Sequence, residues 1–263
     1  MAQNHTDISI AVKQVVQTIQ AIKQSIPFFK ENKLLQGLFE HKWIVVLLII
    51  GSLLYSYSFV KDVYEFFYTP LTDDVLQSSL TTSDLGKISD VVKEEGRKAA
   101  FTGGSKYLLL ILLEVIIFFV SVKTIAILNN EPRKPTFKEF VRAEQRMIKV
   151  MIKNFILGIM AQIVIYIVLA IFGLSSLSGF FMFFVYAYFI GFAFLDNYNE
   201  QFEFNLKESR KVIQQHKYAS TTIGILISGL LAVPVIGAIV TPFLGAVIAT
   251  LYGHNCQMEE GIA

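Results

Sequence analysis

From Tyr107 to Leu128 the chain runs through apolar residues, interrupted only by Glu114, Ser121, Lys123 and Thr124. A helix needs about 20 such residues to cross a hydrocarbon core of about 30 Å, so this one stretch commits the chain to a membrane. A second stretch opens at Lys42 and Trp43, an interfacial basic and aromatic pair, and continues through Ile44 to about Val60. Hydrophobic residues make up 54% of the 263, above the roughly 45–50% of soluble domains. No polar stretch between the apolar runs is long enough to bury a core of its own. The expected fold is an all-α integral membrane protein. It has an amphipathic N-terminal segment over 1–41 and one membrane domain over 42–263, with spans at about 42–60 and 106–128 and helical hairpins at about 154–195 and 220–253.

Local signals place the remaining elements. Ile8, Val12, Val15, Ile19, Ile22 and Ile26 alternate steps of four and three, so they share one face of a helix that Pro27 ends or bends. Such a helix suits the membrane surface or packing against its own domain. Thr136 and Glu139 have capping-box spacing at the start of a long helix that ends near Phe172, and Asn205 and Glu208 repeat the spacing before a basic turn. The stretch from Gly173 to Gly179 is too short to be anything but a hairpin turn before the aromatic run from Phe180 to Leu195. The last two apolar arms, Ser220 to Val233 and Phe243 to Tyr252, reach only about 21 and 15 Å. Neither crosses alone, and Pro234, Gly237 and Pro242 at the turn between them predict a re-entrant hairpin.

The formal charge of +2, spread over several loops, implies no nucleic-acid partner. Cys256 is the single cysteine, and with His216 and His254 it lacks metal-ligand spacing, so no metal and no cofactor is expected. No cleaved signal peptide is visible at the N-terminus. No phosphate loop, serine nucleophile motif or nucleotide fingerprint occurs, which argues against an enzyme. Glu114, inside a span, is the candidate read from the residues alone. It serves as a proton or ion relay, or it packs helices together as a neutral acid or paired with Lys123 or a tyrosine hydroxyl. Arg133 to Lys153 and Lys207 to Lys217 concentrate positive charge, which places both loops on the cytoplasmic side and makes both hairpins enter from there.

The C-terminal third carries a recognisable order of residues: Asp196 closing an apolar arm, a basic helix, Gly224, then a turn with Pro234, Pro242 and Gly245. It resembles the etoposide-induced protein family, some of whose members are bacterial sulfate transporters. The resemblance implies transport of sulfate or another small anion, with His41 and Lys42 at the place where the transporter-like members carry a basic pair for sulfate. Here Glu40 precedes that pair, and a histidine and a lysine stand where those members look like two arginines. The implied substrate-binding set is His41, Lys42, Glu114, Pro234, Gly237 and Pro242. A membrane scaffold or regulatory protein of the same family, without a transport path, is the alternative. The expected partners are the lipid bilayer, a small anion and further copies of the chain, in a cell inner membrane or, in a eukaryote, the endoplasmic reticulum.

Overall fold

The computed structural model describes residues 2–34, 113–131, 133, 136–174, 177–233 and 236–260. The expected first span, the loop that follows it, the opening of the second span, and His41, Lys42 and Pro234 lie outside the described residues. Among the described residues the fold is wholly helical. The elements are α1 (Ala2–Glu31), α2 (113–128), α3 (Phe137–Ile171), α4 (Ser178–Glu200), α5 (Leu206–Gln215), α6 (Lys217–Leu231) and α7 (Ile236–Glu260).

Helix ends follow the local chemistry. Asn130 takes a positive φ of 53° just past α2, and the Glu131 N–H bonds back to the Ala126 carbonyl, closing the last turn. Both capping boxes form: Glu139 N–H donates to Thr136 Oγ1 while Thr136 N–H donates to Glu139 Oε2, and Asn205 with Glu208 does the same for α5. Gly173 adopts φ 67° after α3, a left-handed position that lets the Leu174 N–H return to the Leu169 carbonyl. The chain then reverses into α4.

Two hairpins, α3–α4 and α6–α7, form the bulk of the fold, with α5 joining their bases. In α4 and α6 the backbones touch. A Cβ on Gly224 would stand 1.7 Å from the Ala187 carbonyl oxygen, and one on Gly191 would stand 1.8 Å from that of Ser220. Ala187 with Gly191 and Ser220 with Gly224 are each four apart, so two small-residue stripes face one another across antiparallel helices. This is how helices approach when lipid offers no hydrophobic drive to association. Ser220 Oγ adds a 2.8 Å bond to the Tyr188 carbonyl. Around the pair, Phe192, Phe194, Ile223, Ile227, Val247 and Ile248 form an apolar core with α2 and α1.

Among the described residues three helical stretches are long and apolar enough to cross a membrane: Lys138–Ile171, Ser178–Glu200 and Ile239–Cys256. The hairpin tips and the outer face of α3 expose Ile156, Met160, Val164, Ile167, Ile171, Phe172, Phe180 and Phe181. A surface of that composition is stable in acyl chains, and the chain is an integral membrane protein.

Three sequence expectations change in detail. Helix α1 runs on past Pro27 to Glu31, because the ring removes one backbone donor only a turn before the helix finishes. Helix α7 is 25 residues long, not about ten: it continues through Pro242 near its start and through Gly253, whose bare Cα lets the Tyr198 ring pack against it. Its length, about 37 Å, no longer forbids this arm from crossing. Finally, α1 packs with its polar and small face. Gln14, Thr18, Ala21 and Ser25 are buried, while Ile8, Val12, Ile19 and Ile26 point outward. Gln14 explains the choice. Its amide donates to the Gln215 carbonyl at 2.6 Å and accepts from the N–H groups of Tyr218 and Ala219 at 3.1 and 3.4 Å, filling orphan groups where α5 ends and α6 begins.

The packing of α4 on α6 makes a direct prediction. Gly191→Ala and Gly224→Ala each push a methyl into a neighbouring backbone and cost about 1–3 kcal/mol. Gly229→Ala meets nothing within 4 Å and leaves stability unchanged or slightly raised. Thermal unfolding of the three variants in detergent measures the difference.

Candidate functional site

At the base of the two hairpins, three helices bring charge into an otherwise apolar interior. Asp196 lies one turn before the end of α4 and is 3% exposed. Arg146 reaches it from α3 with two parallel bonds, Nε to Oδ2 and Nη2 to Oδ1, both 2.9 Å. The fork matches the carboxylate plane, a geometry that lysine does not provide. The third guanidinium nitrogen donates to the Phe204 carbonyl, and Glu200 Oε2 stands 3.8 Å from Nε. Ser209, buried on α5, donates its hydroxyl to Asp196 Oδ1 and receives a 3.0 Å bond from Asn199 Nδ2. One carboxylate thus ties α3, α4 and α5 together.

Glu114 enters from α2 and is fully buried. Its Oε1 accepts from the Asn197 amide, whereas its Oε2 has no hydrogen-bond partner among the described residues. The carboxyls of Glu144, Asp196 and Glu200 lie within electrostatic reach of it, as does the Arg146 guanidinium. Four buried polar atoms in this neighbourhood lack partners among the described residues: Glu114 Oε2, Asn197 Oδ1, Glu144 Oε2 and Gln201 Nε2. Each costs about 1–3 kcal/mol if it stays dry. Below the network, a cavity of about 110 Å³ is lined by Asn199, Phe204, His216, Tyr252 and Cys256 among others. A second of about 230 Å³ shares Gln215, His216 and Cys256 with it and extends to Lys13 and Gln17 on α1. His216 Nδ1 and the Tyr252 hydroxyl meet at 2.8 Å between them.

The residues named from the sequence do not all gather here. Glu114 belongs to the network, but its partner is Asn197. Lys123 instead points its ammonium at the Lys33 and Leu34 carbonyls, 3.4 Å from each. Gly237 sits at the other end of the α4–α6 pair, where its Cα packs onto the Leu230 carbonyl, and Pro242 is buried within α7. Sequence reasoning missed Arg146 as a site residue, since it falls in step with Arg142 and Lys149 and reads as one more charge on a basic face. The available signal was Ala143, Met147 and Val150, an apolar stripe beside it that marks the inward side of α3.

A family model described as "Sulfate transporter CysZ/Etoposide-induced protein 2.4" matches residues 22–242 of the chain. No curated protein and no solved structure matches it.

The geometry of the ion pair predicts how its loss behaves. Arg146→Met strands the Asp196 carboxylate and lowers stability by about 3–5 kcal/mol, while the double variant Arg146→Met with Asp196→Leu recovers most of that loss. Unfolding midpoints of the single and double variants in detergent check the coupling.

Proposed function

This chain belongs to the sulfate transporter CysZ/etoposide-induced protein 2.4 family, and we propose that it is a membrane transport protein that passes sulfate or another small anion. The observation that carries the reading is the set of buried polar atoms around Glu114 and Asn197, within an apolar helical bundle, that have no partner among the described residues. In lipid such groups are stable only where other polar groups or water reach them. The cavities that run from Lys13 and Gln17 past His216 to Asn199 have room for water and offer it a few polar groups, among them Gln17, His216 and Asn199, in a lining that is otherwise largely apolar. Water that enters from the base of the hairpins would reach the network, and Glu114 is the ionisable group it would meet deepest in the core.

In this reading His41 and Lys42 supply the first contact for the anion, as the family resemblance implies, and the α6–α7 hairpin lines the inner half of the path. Arg146 plays no direct part in binding, because all three of its nitrogens are engaged by Asp196 and the Phe204 carbonyl. The same engagement favours the second reading, a scaffold or regulatory protein, in which the network only fixes the helices.

Radiolabelled sulfate uptake into proteoliposomes separates the two. Transport predicts uptake above protein-free vesicles, lowered about tenfold in Glu114→Gln, which removes a group able to exchange a proton beside the path, and abolished in Lys42→Ala. Uptake equal to that of empty vesicles, with folded and inserted protein, leaves the scaffold reading.

A further inference from the structure

The outer face of α3 changes character along its length without changing direction. Arg142, Lys149 and Lys153 are exposed, and so are Ile156, Met160, Val164, Ile167 and Ile171. At about 100° per residue these eight positions fall within one narrow stripe, cationic for its first three turns and aliphatic for the next four. Lys153 and Ile156 are less than one turn apart, so the change of polarity takes place over about 5 Å. That is the profile of a lipid molecule lying along a helix, headgroup beside the ammonium groups and acyl chains beside the aliphatic residues.

Helix α5 completes the cationic end. Its Arg210 guanidinium lies 5.1 Å above the Phe192 ring and 3.4 Å from Asn154 Oδ1, next in sequence to Lys153. Stacking and that one hydrogen bond fix the planar group and leave most of its donors unspent. Neither Lys149, Lys153 nor Arg210 forms an ion pair with a carboxylate among the described residues, although the buried network one helix-width away is rich in acids. Cations left unneutralised by the described residues, beside a lipid-facing stripe, call for an anionic partner that belongs to the bilayer.

We propose that the α3–α5 junction is a binding site for an acidic phospholipid, its headgroup phosphate held by Arg210, Lys153 and Lys149 and its acyl chains laid along Ile156, Met160 and Val164. Arginine supplies the fork that phosphate oxygens accept, and the lysines supply adjustable charge. The bound lipid bridges α3 and α5 on the outer side of the Arg146–Asp196 pair and so reinforces the base of the hairpins.

The test is thermal unfolding of the purified protein in detergent with added phosphatidylglycerol, phosphatidylcholine or inorganic sulfate, each compared within a single variant so that a general change in stability cancels. Wild type and Lys30→Gln should gain about 5 °C from phosphatidylglycerol over phosphatidylcholine. Lys153→Gln with Arg210→Gln should lose most of that difference, and Lys153→Arg with Arg210→Lys should keep at least half. The proposal fails if the two lipids act alike on the wild type or if the double glutamine variant responds fully. It fails equally if inorganic sulfate reproduces the shift in the wild type and not in Lys153→Gln with Arg210→Gln, which would make the junction a site for a free anion.

Discussion

The Asp196 carboxylate is the point on which this fold turns. A charge removed from water inside a helical bundle is stable only with its full complement of partners, and Asp196 collects them from two directions: a bidentate arginine on α3 and a hydroxyl on α5. Because Arg146 also binds the Phe204 carbonyl, the turn between α4 and α5 is fixed along with the helices. With these bases locked, both hairpins project their apolar tips the same way, and the exposed phenylalanines near Phe180 and the aliphatics of α3 occupy lipid.

Away from that anchor, cohesion comes from shape and from backbone chemistry. The glycines at 191 and 224 let α4 and α6 approach until their main chains touch, and Gln14 satisfies helix ends that would otherwise stay open. Both devices answer the same constraint. Lipid hydrates nothing, so polar groups must be closed within the protein, and apolar side chains gain little by meeting one another. The network around Glu114 departs from this rule, with polar atoms left open in a buried place, and the departure is what makes it a candidate route instead of another clamp.

Much of this was legible in the sequence where the governing physics is local. The capping boxes at Thr136 and Asn205 and the Gly173 reversal each depend on a few neighbouring residues, and each forms as read. The inward face of α1 was not, because an aliphatic stripe marks the buried side only in water; in a membrane the stripe of Ile8, Val12 and Ile19 can face out, and the polar stripe of Gln14 and Thr18 turns in. The extent of α7 escaped for a related reason: Pro242 read as part of a turn, yet it falls near a helix start, and the helix continues through Gly253, which makes room for Tyr198. The site was half visible. Glu114 stood out as a charge in a span, and Asp196 through family resemblance, whereas Arg146 and Asn197 acquire meaning only from contacts that join residues 50 and 83 positions apart.

The central claim is that water reaches the polar network from the base of the hairpins. Asn197→Cys, made in a Cys256→Ser background so that the introduced thiol is the only one, reports on this through its rate of reaction with a charged, membrane-impermeant thiosulfonate. A hydrated route predicts modification within minutes, slowed when sulfate is present. Reaction with a membrane-permeant apolar maleimide alone, in protein shown to be folded, would mean that the network is dry and would contradict the account.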